Sequence, residues 1–219
     1  MHEDTRERLN LLLNQLFVVL AFSIPLYRKW VSIAVPLIII LWLAEGRIAD
    51  KLAAQRRHRL SLAVATFVAF AVLSLAWSGD RVAGLDYLAK YRYFLLIPVL
   101  ATSLRADYQR RVEAAFLIGT GLSLALSLTI FAGLIRLRDA YPANPAPSMS
   151  HLDYSMVLAV AGLIALTRLL ERGRRPGQRL AWAALLAFVV GGLLINIGRS
   201  GQVAFVGAAV VLTPVILRD

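Results

Sequence analysis

Residues 180–217, LAWAALLAFVVGGLLINIGRSGQVAFVGAAVVLTPVIL, decide the fold class of this chain. The stretch holds two apolar runs, and Arg199 is its only charged residue. A helix needs about 20 apolar residues to cross the hydrocarbon core of a bilayer, so each run predicts one transmembrane helix. A polar, glycine-flanked break from Asn196 to Gln202 separates the two helices.

The same apolar character extends over all 219 residues, of which 59% are hydrophobic and 17% are charged. Soluble domains are about half apolar and about a quarter charged, so this composition excludes a soluble enzyme. We predict an all-α, polytopic membrane bundle that forms a single transmembrane domain over residues 1–219, with about eight spans. The predicted spans are 9–26, 30–44, 60–77, 87–104, 112–135, 152–170, 180–197 and 200–217. Since the second span is short and has Pro36 in its second turn, the first two spans alternatively form a re-entrant hairpin.

The charge distribution predicts how the chain is oriented. Lys and Arg total 24 against 13 acidic residues, and cytoplasmic connections of membrane proteins carry an excess of such cations. With the N-terminus inside, sixteen cations fall in cytoplasmic segments: Arg6, Arg8, Arg47, Lys51, Arg56, Arg57, Arg59, Arg105, Arg110, Arg111, Arg168, Arg172, Arg174, Arg175, Arg179 and Arg218. The other eight are external: Arg28, Lys29, Arg81, Lys90, Arg92, Arg136, Arg138 and Arg199. The segment 136–150 has three prolines and is predicted to be a periplasmic or lumenal loop.

Arg199 is the strongest candidate for a functional cation. A cation at the bilayer centre costs about 2.5–3.5 kcal/mol on insertion scales, so an arginine beside apolar helices is a functional candidate by default. Gly201 permits a close approach of the backbone, and Ser200 is expected to cap the following helix, which leaves N–H groups facing the guanidinium. Arg199, Ser200 and Gly201 therefore predict a phosphate or pyrophosphate site. The alternative is an interfacial arginine that snorkels from a tight turn.

Two further external residues are candidates for the same chemistry. Arg92 has no partner three or four residues before it and is the second predicted substrate contact, whereas Lys90 is spaced to pair with Asp86. His151 is the one histidine on the predicted external side and is the candidate general base. The alternative for His151 is that it caps a helix. Arg136 and Arg138 are expected to be mobile surface charges. The alternative is that they steer an anionic substrate at long range.

Other chemistries have no sequence support. The chain has no cysteine, which excludes disulfides and cysteine-based metal sites. It also lacks a P-loop, an H-E-x-x-H and a G-x-S-x-G sequence. We predict no metal, no cofactor and no nucleic-acid partner.

Four segments together resemble the N-terminal half of the O-antigen ligase and O-antigen polymerase family. They are AFSIPLYRKWVSIAVPLIIILWLAEG, KYRYFLLIPVLA, SHLDYSMVLAVAGLIAL and NIGRSGQVAFVGA, which start at residues 21, 90, 150 and 196. The most specific feature of the resemblance is the Arg-Ser-Gly helix junction at Arg199.

The resemblance implies a GT-C-like glycosyltransferase of the bacterial inner membrane. It implies transfer of a glycan from undecaprenyl pyrophosphate to lipid A-core on the periplasmic side, without a nucleotide sugar or an obligatory metal. The junction arginine of the family matches Arg199 and implies a pyrophosphate contact there. Family members are usually longer, and a later periplasmic loop supplies their catalytic histidine. We therefore expect this chain to be the N-terminal part of a longer protein, unless His151 is the base.

Three other functions stay open at this point. An O-antigen polymerase would use the same donor. A transporter or flippase of anionic lipid-linked glycans would use the external cations as a vestibule, and it predicts ionisable residues at mid-membrane on several helices. A ligand-free scaffold would tolerate replacement of Arg199.

Overall fold

The computed structural model describes residues 3–55 and 58–218, which form ten α-helices and one 3-10 helix. The α-helices are α1 (Glu3–Ser23), α2 (Arg28–Ala44), α3 (Ile48–Gln55), α4 (Arg59–Ser74), α5 (Arg81–Lys90), α6 (Leu96–Ser103), α7 (Ala106–Phe131), α8 (His151–Leu170), α9 (Pro176–Ile195) and α10 (Arg199–Arg218). The 3-10 helix is Tyr91–Leu95. These ranges contain no β-strand, so the predicted all-α class is confirmed. Arg56 and Arg57, which count toward the predicted cytoplasmic charge, lie outside the described residues.

Four helices, α7 to α10, are long and apolar enough to cross a membrane. The pair Lys29–Ala44 and Ile48–Gln55 makes a fifth span if the two helices count as one, although they are bent by 111°. Helix α4 is apolar but has 16 residues. Several apolar helices therefore have the properties expected of a multi-pass membrane protein, while the predicted number of about eight spans stays a prediction.

The predicted span 87–104 is wrong as a single helix. The chain there forms the end of α5, then the 3-10 helix, and then α6. Pro98, in the first turn of α6, explains the break. A proline has no N–H to bond the carbonyl four residues earlier, and its ring clashes with that carbonyl. A continuous α-helix through Phe94 is therefore disfavoured.

The sharp bend between α2 and α3 depends on two residues with positive φ and on a buried ion pair. Gly46 and Arg47 have φ values of +79° and +53°, which end α2 in the left-handed region. Lys51, on α3, reaches back across the bend. Its Nζ lies 2.9 Å from the Glu45 carboxylate and donates to the Trp42 carbonyl at 2.5 Å.

The described residues divide into two compact units. The first runs up to Leu20 and continues from Lys29 to Val112. In its interior the fully buried Asn14 of α1 donates to the Ser103 carbonyl at 2.9 Å and accepts from the Arg105 N–H at 2.9 Å. A buried amide with both ends satisfied fixes the contact between α1 and the end of α6.

The second unit comprises Ala21–Arg28 and the chain from Glu113 onward. Its core lies between α7, α8 and α9 and contains seven buried residues: Leu124, Ala146, Tyr154, Leu158, Ala161, Val189 and Leu193. Ala146 comes from the predicted periplasmic loop 136–150, so part of this loop packs into the core. In addition, α10 packs along α8. This arrangement places the start of α10 beside the start of α8.

Candidate anion-binding site

The candidate site begins with the N-terminus of α8, which is capped by Ser150. The Ser150 backbone is extended, and its Oγ accepts a hydrogen bond from the Asp153 N–H at 3.1 Å. This is the usual geometry of a serine N-cap. His151 is therefore the first residue of α8, and the alternative that His151 caps the helix is wrong. His151 is half-buried.

Two amide side chains fix the connection between α9 and α10. Asn196 is buried, and its Nδ2 donates to the His151 carbonyl at 3.1 Å. The Oδ1 of the same amide accepts from the Gly198 N–H at 3.4 Å. Gln202, on α10, donates from Nε2 to the Leu193 carbonyl at 2.7 Å. The turn is thus bonded both to α8 and to the end of α9.

Two glycines allow the backbone of α10 to touch the backbone of α8. A Cβ at Gly198 would overlap the His151 carbonyl oxygen, and a Cβ at Gly201 would overlap the carbonyl group of Ser155. The Gly201 N–H donates to Ser155 Oγ at 3.2 Å, and Ser155 Oγ donates to the Leu152 carbonyl at 2.8 Å. The predicted close approach at Gly201 is therefore present, and its partner is Ser155, at the start of the second turn of α8.

Arg199 is the first residue of α10 and its side chain is exposed. Within the described ranges no carboxylate lies within ion-pair distance of its guanidinium. The predicted capping role of Ser200 is wrong, because α10 begins one residue earlier and Gly198 occupies the cap position. Ser200 instead lies in the first turn, with its Oγ 3.4 Å from Ser155 Oγ.

The first turn of α10 carries hydrogen-bond donors that have no acceptor. In the part of the chain that the structure describes, the N–H groups of Arg199 and Ser200 have no hydrogen-bond partner. Free N–H groups at a helix start bind phosphate oxygens, and a guanidinium adds charge-assisted, bidentate hydrogen bonds. This set of donors fits a tetrahedral oxyanion.

Arg92 belongs to the first unit and has an aromatic neighbour. Its guanidinium carbon lies 5.1 Å from the centre of the Tyr93 ring, and its Nη2 donates to the Tyr93 hydroxyl at 3.3 Å. Lys90, which is spaced to pair with Asp86, instead places its Nζ 4.4 Å from the centre of the Tyr87 ring. The role of Arg92 as a substrate contact stays a prediction.

Two of the other cations that are predicted to be external lie in the loop before α8. Arg136 and Arg138 are both exposed. Over residues 3–55 and 58–218, no group of three or more acidic or histidine side chains is arranged to hold a metal ion.

Sequence reasoning missed three residues that build the site: Asn196, Gln202 and Ser155. Asn196 and Gln202 bound the polar break after α9, so their polarity in an apolar region was a usable signal. Ser155 gave no such signal, because its contact with Gly201 depends on the packing of α10 on α8. Helix pairing of this kind cannot be read from one sequence.

Comparisons with known proteins add no further information about the site. No family model matches the chain, and no curated protein or solved structure matches it. The chemistry of the site therefore rests on its own residues.

Proposed function

We propose that the chain is a membrane glycosyltransferase of the O-antigen ligase type, with Arg199 binding the pyrophosphate of an undecaprenyl-linked glycan donor. The observation that carries this proposal is the exposed Arg199 guanidinium beside free N–H groups, in a turn whose other polar groups are bonded. An arginine kept without a carboxylate at the end of an apolar helix favours an anionic ligand over a structural role.

The proposed reaction needs stabilisation of charge on its leaving group. An acceptor hydroxyl attacks the anomeric carbon of the donor glycan, and the bond from that carbon to the pyrophosphate oxygen breaks. Negative charge then builds on the pyrophosphate, where the Arg199 guanidinium and the helix N–H groups lower the barrier. The proton of the hydroxyl passes to a base, which by family resemblance comes from a later periplasmic loop. His151 is the alternative base in this chain.

The finer architecture belongs to the same proposal. We propose a GT-C-like bundle of about eight spans in a bacterial inner membrane, with a cytoplasmic N-terminus. Arg199, His151 and the loop 136–150 would then face the periplasm. Lipid A-core is the proposed acceptor. A polymerase would present a glycan acceptor to the same donor site.

A transporter of lipid-linked glycans is less well supported. It would require ionisable residues near the middle of several spans. In α8 and α10 the charged residues are Asp153, Arg168, Arg199 and Arg218, and each lies within the first or last turn of its helix. Charged residues at helix ends suit a reaction at the membrane surface, such as the proposed glycan transfer.

The proposal is tested by glycan transfer in proteoliposomes that contain the lipid-linked donor, lipid A-core and a protein that carries both this segment and the later periplasmic loop expected from the family resemblance. Arg199→Ala is expected to reduce transfer by about 100-fold or more, which is the usual loss when one preorganised donor to a developing charge is removed. Arg199→Lys should recover little of this loss, since a point charge does not reproduce a bidentate fork. Arg138→Ala, which removes an exposed loop cation, is the matched control and should retain transfer.

Transfer at the parental rate by Arg199→Ala would overturn the proposal. Equal losses in Arg199→Ala and Arg138→Ala would also overturn it, because the effect would then be general surface charge. Binding of undecaprenyl pyrophosphate by the same variants separates the donor site from the chemical step.

A further inference from the structure

The first unit contains a polar pocket that shares no residue with the donor site. It has a volume of about 310 Å³ and lies between the first turns of α1 and the bend that joins α2 to α3. Glu3, Arg6 and Glu7 line it from α1, while Glu45 and Lys51 line it from the bend and from α3. The pocket therefore brings charges of both signs together.

The charges around the bend are already paired. Lys51 Nζ lies 2.9 Å from the Glu45 carboxylate, and Asn10 Nδ2 donates to Glu45 Oε1 at 3.0 Å. Arg47, which also lines the pocket, pairs with Asp50 at 2.7 Å. This wall of the pocket has its charges balanced and leaves little for a ligand to neutralise.

The charges on α1 are unpaired. Among the described residues, none forms an ion pair or a side-chain hydrogen bond with Glu3, Arg6 or Glu7. The Nε of Arg6 is buried and has no acceptor, so this guanidinium has lost part of its hydration without gaining a partner. A charged donor in that state is stabilised by an anionic acceptor. The α1 wall thus offers one free cation and two free carboxylates.

This charge pattern selects a ligand that carries both signs. A purely anionic ligand would be repelled by Glu3 and Glu7, and a purely cationic ligand would be repelled by Arg6. A phosphoethanolamine group meets both requirements. Its phosphate accepts bidentate hydrogen bonds from a guanidinium, and its primary ammonium has three N–H donors for the two carboxylates.

The pocket lies at a border between charged and apolar surface. On α3, Ile48 and Leu52 flank Lys51 in the sequence and are exposed to 45% and 52%. The α1 sequence becomes apolar from Leu11 onward. Exposed apolar side chains beside a charged pocket match the level of a bilayer where headgroups meet acyl chains. A phospholipid therefore fits better than a free headgroup, since its acyl chains cover Ile48 and Leu52.

We propose that this pocket binds the headgroup of phosphatidylethanolamine. Arg6 binds the phosphate, and Glu3 and Glu7 bind the ammonium. Phosphatidylcholine has the same phosphate, but its quaternary ammonium has no N–H to donate to the carboxylates. The pocket is therefore selective for a primary ammonium.

The test is a competition between lipids for the full chain in detergent. Phosphatidylethanolamine and phosphatidylcholine with the same acyl chains are added in equal amounts, and native mass spectrometry measures the population with one bound lipid of each kind. We expect phosphatidylethanolamine to bind about fivefold better, which corresponds to about 1 kcal/mol for an exposed ion pair. The N-monomethyl and N,N-dimethyl lipids should fall between the two, because each methyl group removes one N–H donor.

Variants separate the two halves of the headgroup. Glu3→Gln together with Glu7→Gln should abolish the preference between the two lipids. Arg6→Gln should weaken the binding of both lipids by a similar factor, since both carry the phosphate, and should keep the preference. Asp4→Asn and Arg8→Gln are the matched controls. They change exposed charges in the same turns of α1 that do not line the pocket, and both should behave like the parent.

Equal binding of the two lipids by the parent would overturn the proposal. A preference that survives the double glutamine variant, or one that Asp4→Asn also abolishes, would overturn it as well. Displacement of the lipid by an equal concentration of glycerophosphoethanolamine would assign the pocket to a soluble zwitterion instead and would overturn the lipid assignment. The measurement needs no glycan donor, so its outcome is independent of the proposed transfer reaction.

Discussion

Helices α8 and α10 run in the same direction, and the arginines at their two ends differ in whether they have bonding partners. At the end where they finish, Arg168 forms a two-pronged ion pair with Glu113 of α7, with one hydrogen bond of 2.7 Å from Nε. Arg172 donates to the Leu217 carbonyl at 2.8 Å. At the end where they begin, Arg199 has no such partner within the described chain.

The difference separates a structural arginine from a binding arginine. Arg168 is two-thirds buried, and its charge is neutralised inside the unit. Arg199 is exposed, while the amides around it bond the turn in place. Removing the Arg168 side chain should therefore weaken the fold, and removing the Arg199 side chain should weaken ligand binding. The predictions below test this contrast at both ends, from the largest expected effect to the smallest.

The largest effect is expected in membrane topology. A reporter fused after Pro145, near the start of α8, should be periplasmic, and a reporter fused after Gly173, near its end, should be cytoplasmic. The physical reason is the excess of Lys and Arg in the predicted cytoplasmic segments. Alkaline phosphatase and fluorescent-protein fusions measure the two locations. A reversed result would place Arg199 on the cytoplasmic side and remove the proposed reaction.

A methyl group at the helix junction should cost the most stability. Gly201→Ala puts a Cβ into the Ser155 carbonyl group, and backbone cannot move aside as a side chain does. We expect a loss of about 3 kcal/mol in the free energy of unfolding. Gly207→Ala on the same helix meets nothing within 4 Å and should gain up to about 1 kcal/mol. Denaturation in detergent compares the two; equal stabilities would show that the junction is looser than described.

The contrast between the two arginines should appear in stability. Arg168→Ala leaves the Glu113 carboxylate about three-quarters buried and without a partner, so we expect a loss of about 2 kcal/mol in the free energy of unfolding. Arg199→Ala should stay within about 0.5 kcal/mol of the parent, as is usual for exposed positions. The midpoint of thermal unfolding in the same detergent measures both. Similar losses of stability for Arg168→Ala and Arg199→Ala would contradict the distinction between a structural and a binding arginine.

His151 should contribute little to the rate of transfer. Its carbonyl, which any residue supplies, bonds Asn196, so replacement of the imidazole leaves the junction in place. We expect His151→Ala to lower transfer a few-fold. A general base contributes about 10²–10⁴-fold, so a loss in that range would make His151 the base of the reaction. The rate of donor turnover in the proteoliposome assay described above provides the measurement.

The smallest effect is expected from pH at the paired end. Hydrogen bonds from Arg174 and then from Arg168 lower the pKa of Glu171, which follows α8. Because its folded pKa lies below the unfolded value, Glu171 adds stability above the unfolded pKa and loses it as the pH falls through the folded pKa. Glu171→Gln should therefore reduce the fall in thermal midpoint between pH 6 and pH 3. The same fall in the parent and the variant would contradict this assignment.

The sequence predicted the helices of the second unit well and those of the first unit less well. Runs such as 180–197 lack internal breaks, and α9 and α10 follow them closely. For residues 87–104 the prediction relied on hydropathy and gave one helix, although Pro98 indicated a break. The structure has the end of α5, the 3-10 helix and α6 there. The short helix α3 was missed, because its eight residues are too few for an apolar run and it begins only after a backbone bend.

Part of the candidate site could also be predicted. The polar break identified Arg199 and the need for glycine at Gly201, since both are local features of the chain. The cap was misplaced, because the boundary of α10 shifted by one residue relative to the prediction. The neighbour of the turn could not be predicted at all. It depends on which of several similar apolar helices packs against α10.

The parallel direction of α8 and α10 has an electrostatic consequence. Aligned peptide dipoles place about half a positive charge at each helix start and about half a negative charge at each helix end. Two adjacent starts together with Arg199 give roughly two positive charges, of which Asp153 in the first turn of α8 offsets one. At the other end, Arg172 donates to the Leu217 carbonyl, so its positive charge lies at the negative end of the α10 dipole. At the site, Asp153 therefore cancels a charge equal to that of the two helix starts, so the net positive charge that attracts an anion is about that of Arg199 alone, and little attraction remains when Arg199 is replaced.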